Sequence, residues 1–159
     1  MNMARLEYIS VSETAINGML TDFKTYASIP DDSQDTYLLK LLRNAVLKVQ
    51  EYADRAIIEC TLRVTLRVPA ATGIVKLYLG GGNIASCTDD RGESVPYDNL
   101  TGGRIATYVR DTDVTVQYTT TPNEADRTVL LQTVLRYATA DYDGAETAEL
   151  NRIMTEGVL

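Results

Sequence analysis

The sequence has 159 residues, which is the size of one domain and enough to bury a core without disulfides or metal ions. It contains no histidine, so it lacks the commonest general base and metal ligand, and it cannot form a Ser-His or Cys-His nucleophile pair. Its net charge of −7 opposes tight wrapping of nucleic acid, because lysine and arginine drive that binding. These properties predict a single globular domain over residues 1–159 that is not an enzyme and holds no cofactor or metal.

The composition also bears on where the protein works. The first residues, MNMARLEYISVSE, contain no apolar run between their charges, so no signal peptide is predicted. No apolar run approaches the roughly 18 residues of a membrane helix. We therefore expect a cytoplasmic chain without a membrane partner. Thiols stay reduced in the cytosol, so Cys60 and Cys87 are interpreted as small buried hydrophobic residues rather than as a disulfide.

A short helix and a long helix are predicted first along the chain. TDFKTYASI has a start signal at Thr21-Asp22 and ends before Pro30, which favours a short helix. The long helix, Asp35–Ala56, is capped by Ser33 or Asp35. Its apolar residues recur at three- and four-residue spacing, which predicts a buried stripe. The stripe consists of Leu38, Leu41, Leu42, Ala45, Val49, Tyr52, Ala53 and Ala56.

After the long helix, apolar residues recur at every second position, which indicates strands. CTLRVTLRV alternates apolar residues with Thr and Arg, and GIVKLYL, NIASCT, GRIATYV and DVTVQYTTT are further strand segments. A second long helix follows over residues 123–140, with Asn123 as its cap. Its predicted buried side consists of Val129, Leu130, Val134, Tyr137, Ala138 and Tyr142. The fold class is α+β: helix 35–56 packs on helix 123–140, and an antiparallel sheet or hairpin region, residues 59–121, is inserted between them.

Three consecutive glycines in LYLGGGNIASC raise the question of a phosphate-binding loop. Such a loop opens a helix and carries a following Gly-Lys-Ser/Thr or a spaced third glycine, and neither pattern is present here. Gly80, Gly81, Gly82 and Asn83 are therefore predicted to form a hairpin tip between two strands.

Acidic pairs along the chain are candidates for metal or acid-base sites. In TDDRGESVPY the calcium-loop spacing is absent, so Asp90, Arg91 and Gly92 are predicted to form a second hairpin tip. Asp111 and Asp113 fall in a third tight turn, and the acids at residues 31, 32 and 35 precede a helix that they can cap. Aspartate is favoured at turns and caps, so catalysis is not predicted.

Two features point to contacts with other proteins. Ten of the eleven aromatic residues are tyrosine, which is enriched at protein interfaces, although residues such as Tyr52 and Tyr137 could equally line the edge of the core. The segment AETAELNRIMTEGVL predicts a short, fraying helix. Its apolar residues are the candidate partner contacts, and folding of the helix back onto Tyr137 and Leu130 is the alternative. These candidates are Leu150, Ile153, Met154, Val158 and Leu159.

The order of these elements resembles the head–tail connector (adaptor) family of tailed phages and prophages. The likeness lies in the short helix, acidic loop and long helix of LTDFKTYASIPDDSQDTYLLKLLRNAVLKVQEYADRAI, which ends in Tyr-Ala-x-Arg. It continues in the strand–turn–strand segment VKLYLGGGNIASCTDDRGESVPY and in the last strand and helix, VTVQYTTTPNEADRTVLLQTVLRYATADYDG. Leu20 to Gly144 are covered. The triple glycine and the strand region of about 60 residues depart from the family's pattern.

The resemblance implies a structural virion protein of the neck. Copies of the chain would form a ring, dodecameric to match the portal, between the portal protein and a tail or head-closure protein. DNA would pass through the ring without specific binding, which suits the acidic charge. The C-terminal region would engage the portal, and assembly would take place in the bacterial cytoplasm.

Two other functions compete with the connector role. The first is another neck component, a head-closure stopper or a tail-completion protein. The second belongs to a different class, a small β-rich ligand-binding module, although the absence of Trp and the single Phe leave few rings for such a site.

Overall fold

The computed structural model describes residues 5–158, which divide into two compact units. Residues 5–11 and Glu59–Thr121 form a unit of antiparallel strands, and Ser12–Ile58 with residues 122–158 form a helical unit. The fold class is α+β, as predicted. The single domain over residues 1–159 stays a prediction. No helix within residues 5–158 has the length and apolarity that crossing a membrane requires.

The strand unit contains two antiparallel sheets. Its strands are β1 (Arg5–Val11), β2 (Cys60–Arg67), β3 (Ile74–Lys76), β4 (Gly82–Thr88), β5 (Tyr97–Asn99), β6 (Arg104–Thr107) and β7 (Asp113–Thr120). The larger sheet has the order β1-β2-β7-β4, and the smaller has the order β3-β6-β5. A β-bulge interrupts each edge strand of the larger sheet, at Ile9 in β1 and at Ala85 in β4.

The period of two in β2 and β7 places alternate residues in the core. Leu62 pairs with Tyr118 and Val64 with Val116, and all four side chains are fully buried. The smaller sheet adds Ile105 to this unit's core. On the other face of β2 and β7, cross-strand pairs are polar, including Thr65 with Thr115 and Thr61 with Thr119. Cys60 and Cys87 are buried and do not form a disulfide, as predicted.

The triple glycine does not form the predicted hairpin tip. Strands β3 and β4, on either side of it, lie in different sheets and do not pair. A 3-10 turn at Tyr78–Gly80 passes the chain from one sheet to the other, and Gly82 is already the first residue of β4. The alternation of apolar and polar residues identifies strands but not their partners, and these two strands, although neighbours in the sequence, do not pair.

The helical unit has five helices within the described residues. They are α1 (Glu13–Asn17), α2 (Leu20–Tyr26), α3 (Asp35–Ala53), α4 (Glu124–Tyr142) and α5 (Thr147–Val158). Helix α3 packs on α4, as predicted. The two run antiparallel, since Tyr37 at the start of α3 contacts Tyr142 at the end of α4, and Arg55 beyond α3 pairs with Asp126 at the start of α4.

The ends of α3 differ from the prediction. The helix ends at Ala53 rather than Ala56, because Asp54 adopts a left-handed conformation (φ 52°) whose N–H closes the last turn. Ala56 is still buried, but in the segment beyond the helix. Neither predicted cap is used: Ser33 hydrogen-bonds to Asp31, and Asp35 is the first helical residue and bonds to Lys24. Asn123 does cap α4 by accepting from the N–H of Asp126.

Two residues assigned to the buried stripes are exposed. Tyr52 on α3 is 52% exposed and Val129 on α4 is 62% exposed. Both lie at the margins of their stripes, where helical period alone does not separate core from rim. The other predicted core positions of α3 up to Val49 are buried, and so are Leu130, Val134, Tyr137 and Ala138 on α4.

Candidate interaction surfaces

The predicted partner-contact residues of the tail lie in α5, which packs against α4 and α3. Ile153 and Met154 are buried in this helical unit, whereas Leu150 and Val158 are half-buried. Leu159 lies outside the described residues. The tail therefore has the folded-back arrangement, and in this arrangement Ile153 and Met154 are not accessible to a partner.

Polar contacts also hold α5 in place. Thr133 of α4 donates to the carbonyl of Gly157 at 3.1 Å, and Tyr52 of α3 lies 3.3 Å from the hydroxyl of Thr155. Glu156 accepts from Arg136 of α4 at 3.0 Å and from Arg152 at 2.9 Å. These two arginines hold the pKa of the Glu156 carboxyl below its usual value. Both packing and charge thus stabilise the docked helix.

The glycines at residues 80 to 82 have structural reasons for their lack of side chains. Gly80 and Gly81 have positive φ angles of 78° and 73°. A Cβ on Gly82 would lie 1.9 Å from the carbonyl oxygen of Thr119, and one on Gly103 would lie 2.6 Å from the backbone of Gly80. The turn leads into a strand, so it does not aim the free N–H groups of a helix at an anion.

The second predicted tip is a tight turn closed by Asp89. Its carboxylate accepts from the N–H groups of Arg91 and Glu93, both at 2.9 Å, and Gly92 has a φ of 80°. Thr88 and Ser94 form an antiparallel bridge across the turn. Asp90, Arg91 and Gly92 are exposed at the end of this turn. Asn83, at the other predicted tip, lies in β4 and is exposed.

The acidic residues near Lys24 and Arg67 have neighbouring basic partners. Lys24 pairs with Asp32 and, at 2.8 Å, with Asp35, and these contacts raise the pKa of the lysine. Arg67 lies 3.0 Å from Asp111 and 3.6 Å from Asp113. No group of three His, Cys, Asp or Glu side chains within residues 5–158 could hold a metal ion.

The tyrosines divide between core and surface. Tyr118 is fully buried and donates to the carbonyl of Tyr78, and Tyr137 is 5% exposed. In the helical unit, Tyr26 and Tyr37 are about half exposed, at 47% and 50%. Exposed tyrosines of this kind are suited to contacts with other proteins.

Sequence reasoning missed an exposed ridge on α3, which we define as Tyr37, Lys40, Asn44 and Lys48. These four residues are spaced by three and four along the helix, so they lie on one side of it, and all are exposed. Lys40 and Lys48 make no ion pair with any residue that the structure describes. The polar residues between the predicted core positions carried this signal.

A cleft of about 510 Å³ lies at the corner where α4 turns into α5, and we call it the corner cleft. Asp143, Glu146 and Glu149 give its wall an acidic character. Its other lining residues are Tyr26, Arg136, Thr139, Ala140, Gly144, Ala145 and Ile153. Arg136 is neutralised by Glu156. The hydroxyl of Thr139 is buried and has no hydrogen-bond partner within the described residues.

Comparison with solved structures places this fold among particle necks. A chain of the neck of an empty gene transfer agent (GTA) particle, computed with C6 symmetry, has a TM-score of 0.68 and 16% sequence identity. The match covers 96% of this chain and 94% of that chain. A chain of the native gene transfer agent virion has a TM-score of 0.66, also at 16% identity, over 95% and 93%. A chain of the native GTA neck, computed with C12 symmetry, reaches 0.63 at 16% over 96% and 94%.

Sequence comparison adds no relative: no protein-family model matches the chain, and no curated protein matches it. At 16% identity the structural likeness establishes the fold. The resemblance to phage neck and connector proteins is confirmed at that level.

Proposed function

We propose that this chain is a structural subunit of the neck of a tailed phage or phage-like particle. The observation that carries the proposal is the extent of the structural likeness, which includes both compact units and spans almost the whole of each matched chain. A likeness confined to one unit would instead indicate a shared module.

Within the neck, we assign the chain to the ring that joins the capsid portal to the tail and lets DNA pass, and we give it no catalytic role. The C6 and C12 symmetries of the similar neck particles support a cyclic ring, and twelve copies is the number that we propose. A ring repeats its subunit by rotation and therefore needs two different, complementary surfaces on each copy. The chain is assembled in the bacterial cytoplasm and resides in the virion.

The acidic charge supports the passage of DNA. Of the net charge of −7, the helical unit carries 14 acidic and 8 basic residues, a net −6, and the strand unit carries 8 acidic and 7 basic, a net −1. An acidic lining repels the phosphate backbone, so DNA can slide past it without exchanging its condensed counterions for protein side chains.

The decisive experiment combines imaging and deletion in the particle encoded by the same genome. Cryo-electron microscopy should show a ring of this chain between portal and tail, and deletion of its gene should leave DNA-filled heads separate from tails. Supplying the chain in trans should restore joined particles. Tailed, infectious particles after deletion would overturn the proposal.

The position of the ring separates the alternatives. Direct contact with the portal identifies a connector, whereas a ring below another neck protein identifies a head-closure or tail-completion role. A chain missing from purified particles would favour the ligand-binding module.

A further inference from the structure

We propose that Lys40 on the α3 ridge of one copy enters the corner cleft of the next copy, and that this contact joins subunits around the ring. The inference rests on the proposed ring and goes beyond it by naming the two surfaces that meet. Both lie in the helical unit, so their relative placement follows from the packing of that unit alone.

Charge and hydrogen bonding both fit a lysine in the cleft. Asp143, Glu146 and Glu149 line the cleft; Glu149 also lies 3.9 Å from Arg152, and the cleft's arginine, Arg136, is already paired with Glu156. A lysine ammonium donates up to three hydrogen bonds and accepts none. It can therefore bind the carboxylates that line the cleft.

The two surfaces meet the requirement of a head-to-tail contact. The apolar side of α3 packs on α4, so Lys40 and Asn44 on its opposite side face away from that helix, whereas Tyr37 at the start of the ridge contacts Tyr142. The cleft is lined by residues of α2, α4, α5 and the α4–α5 turn, and no α3 residue lines it. Two separate, complementary patches on one chain form a heterologous interface, which closes into a ring when the rotation allows it.

The proposed contact places α3 and α4 along the ring axis, and in that orientation the two patches have similar heights. Rotation about a ring axis keeps every residue at its own height, so contacting patches must be level along that axis. The rings of Tyr37 and Tyr142 are 6.5 Å apart, which places the start of α3 beside the end of α4 and the cleft. Lys40 is one turn beyond Tyr37 and is therefore close to that level when the helices run along the axis. Lys48 is about 12 Å further, at about 1.5 Å per residue.

Zero-length crosslinking tests the contact directly. Equal amounts of unlabelled and ¹⁵N-labelled subunits are assembled, alone at high concentration or on heads that lack the chain, and treated with a carbodiimide that joins amines to carboxylates. Crosslinked pairs of one labelled and one unlabelled peptide, which come from two different copies, should join Lys40 to Asp143, Glu146 or Glu149. Mixed-isotope links that join other surfaces, or Lys40 linked to another neck protein, would overturn the contact while leaving the neck role intact.

Charge reversal provides the second test. We expect Lys40→Glu to weaken assembly by about tenfold or more, and Glu146→Lys to do the same, because each places like charges together. The two variants mixed in equal amounts should assemble, since each then finds an opposite charge on its neighbour. Lys48→Glu is the matched control and should assemble nearly as the parent does.

The results separate the two levels of the proposal. All positions changed are exposed, so the melting temperature of each variant should stay near that of the parent. Folded Lys40→Glu that assembles normally would refute the contact. A parent chain that forms no oligomer in either assembly condition would refute the ring itself and the contact with it.

Discussion

The hydroxyl of Thr133 on α4 donates a hydrogen bond of 3.1 Å to the carbonyl of Gly157 near the end of α5. A Cβ atom on Gly157 would lie 2.2 Å from that same hydroxyl oxygen. The lack of a side chain at residue 157 therefore allows the end of α5 to approach α4 closely. This contact lies in the segment for which the sequence predicted a fraying helix.

The first prediction tests this close approach. Gly157→Ala should lower the free energy of unfolding by about 1–3 kcal/mol, because the added methyl overlaps Thr133. The melting temperature, followed by circular dichroism, should fall by about 2–4 °C per kcal/mol. Gly18→Ala is the matched control: its Cβ would meet its nearest neighbour at 3.4 Å, so no comparable loss is expected.

A second substitution identifies the cause. Thr133→Ala removes the hydroxyl and methyl groups that a Cβ at residue 157 would strike, at the expense of one hydrogen bond. Adding Gly157→Ala to that variant should then have little further effect. An equal loss in both backgrounds would mean that the clash is not responsible.

Periodicity was sufficient to predict the helix pair and the strand region. Spacing by three and four identified α3 and α4, and alternation identified β2 and β7, because each has one face in a core. Strand β1 was not predicted. It is a short edge strand whose alternation is interrupted at Ile9 by the bulge and whose core-side residues are only half-buried, and its partner β2 lies about 50 residues away in the chain.

The surfaces were harder to predict than the fold. The role of the triple glycine depends on Thr119 and Gly103, which approach it only in the folded unit. Likewise, Tyr26 of α2 and Glu149 of α5 both line the corner cleft, and nothing in either segment indicates the other. The tail residues were recognised as apolar, but only the packed structure shows that Ile153 and Met154 face inward.

A second prediction concerns the helix–helix core. Leu42 and Val134 are fully buried, so Leu42→Asp or Val134→Asp places an unpaired carboxylate among apolar residues and should unfold the helical unit. The loss of helical circular dichroism at about 25 °C is the measurement. Asn44→Asp, an exposed change on the same helix, should leave the spectrum unchanged. Variants at Leu42 and Val134 that melt within about one degree of the parent would show that the buried faces are assigned wrongly.

The third prediction separates two demands on the triple glycine. Gly80→Ala should lower the free energy of unfolding by about 1–2 kcal/mol, because it places alanine at a positive φ. No steric clash adds to this loss, since nothing lies within 4 Å of the added Cβ. Gly82→Ala forces a methyl against the backbone of Thr119 and should cost more. Chemical denaturation of both variants gives the order. Binding of ATP or GTP by the parent at micromolar concentration, abolished by Gly81→Ala, would contradict the structural role of these glycines.

The last prediction is a pH dependence of α5 docking. Hydrogen bonds from Arg136 and Arg152 lower the pKa of Glu156 in the folded protein. Because the folded-state pKa lies below the unfolded-state pKa of about 4.3, the ionised carboxylate stabilises the folded protein above that pH. This stabilisation is lost as the pH falls through the folded-state pKa. Glu156→Gln should therefore lower the melting temperature at neutral pH, and the difference from the parent should shrink once the pH falls below that range. Glu51→Gln, an exposed change on α3, controls for the loss of one charge. A difference that persists unchanged in acid would show that neutral contacts of Glu156, rather than its charge, hold α5 to α4.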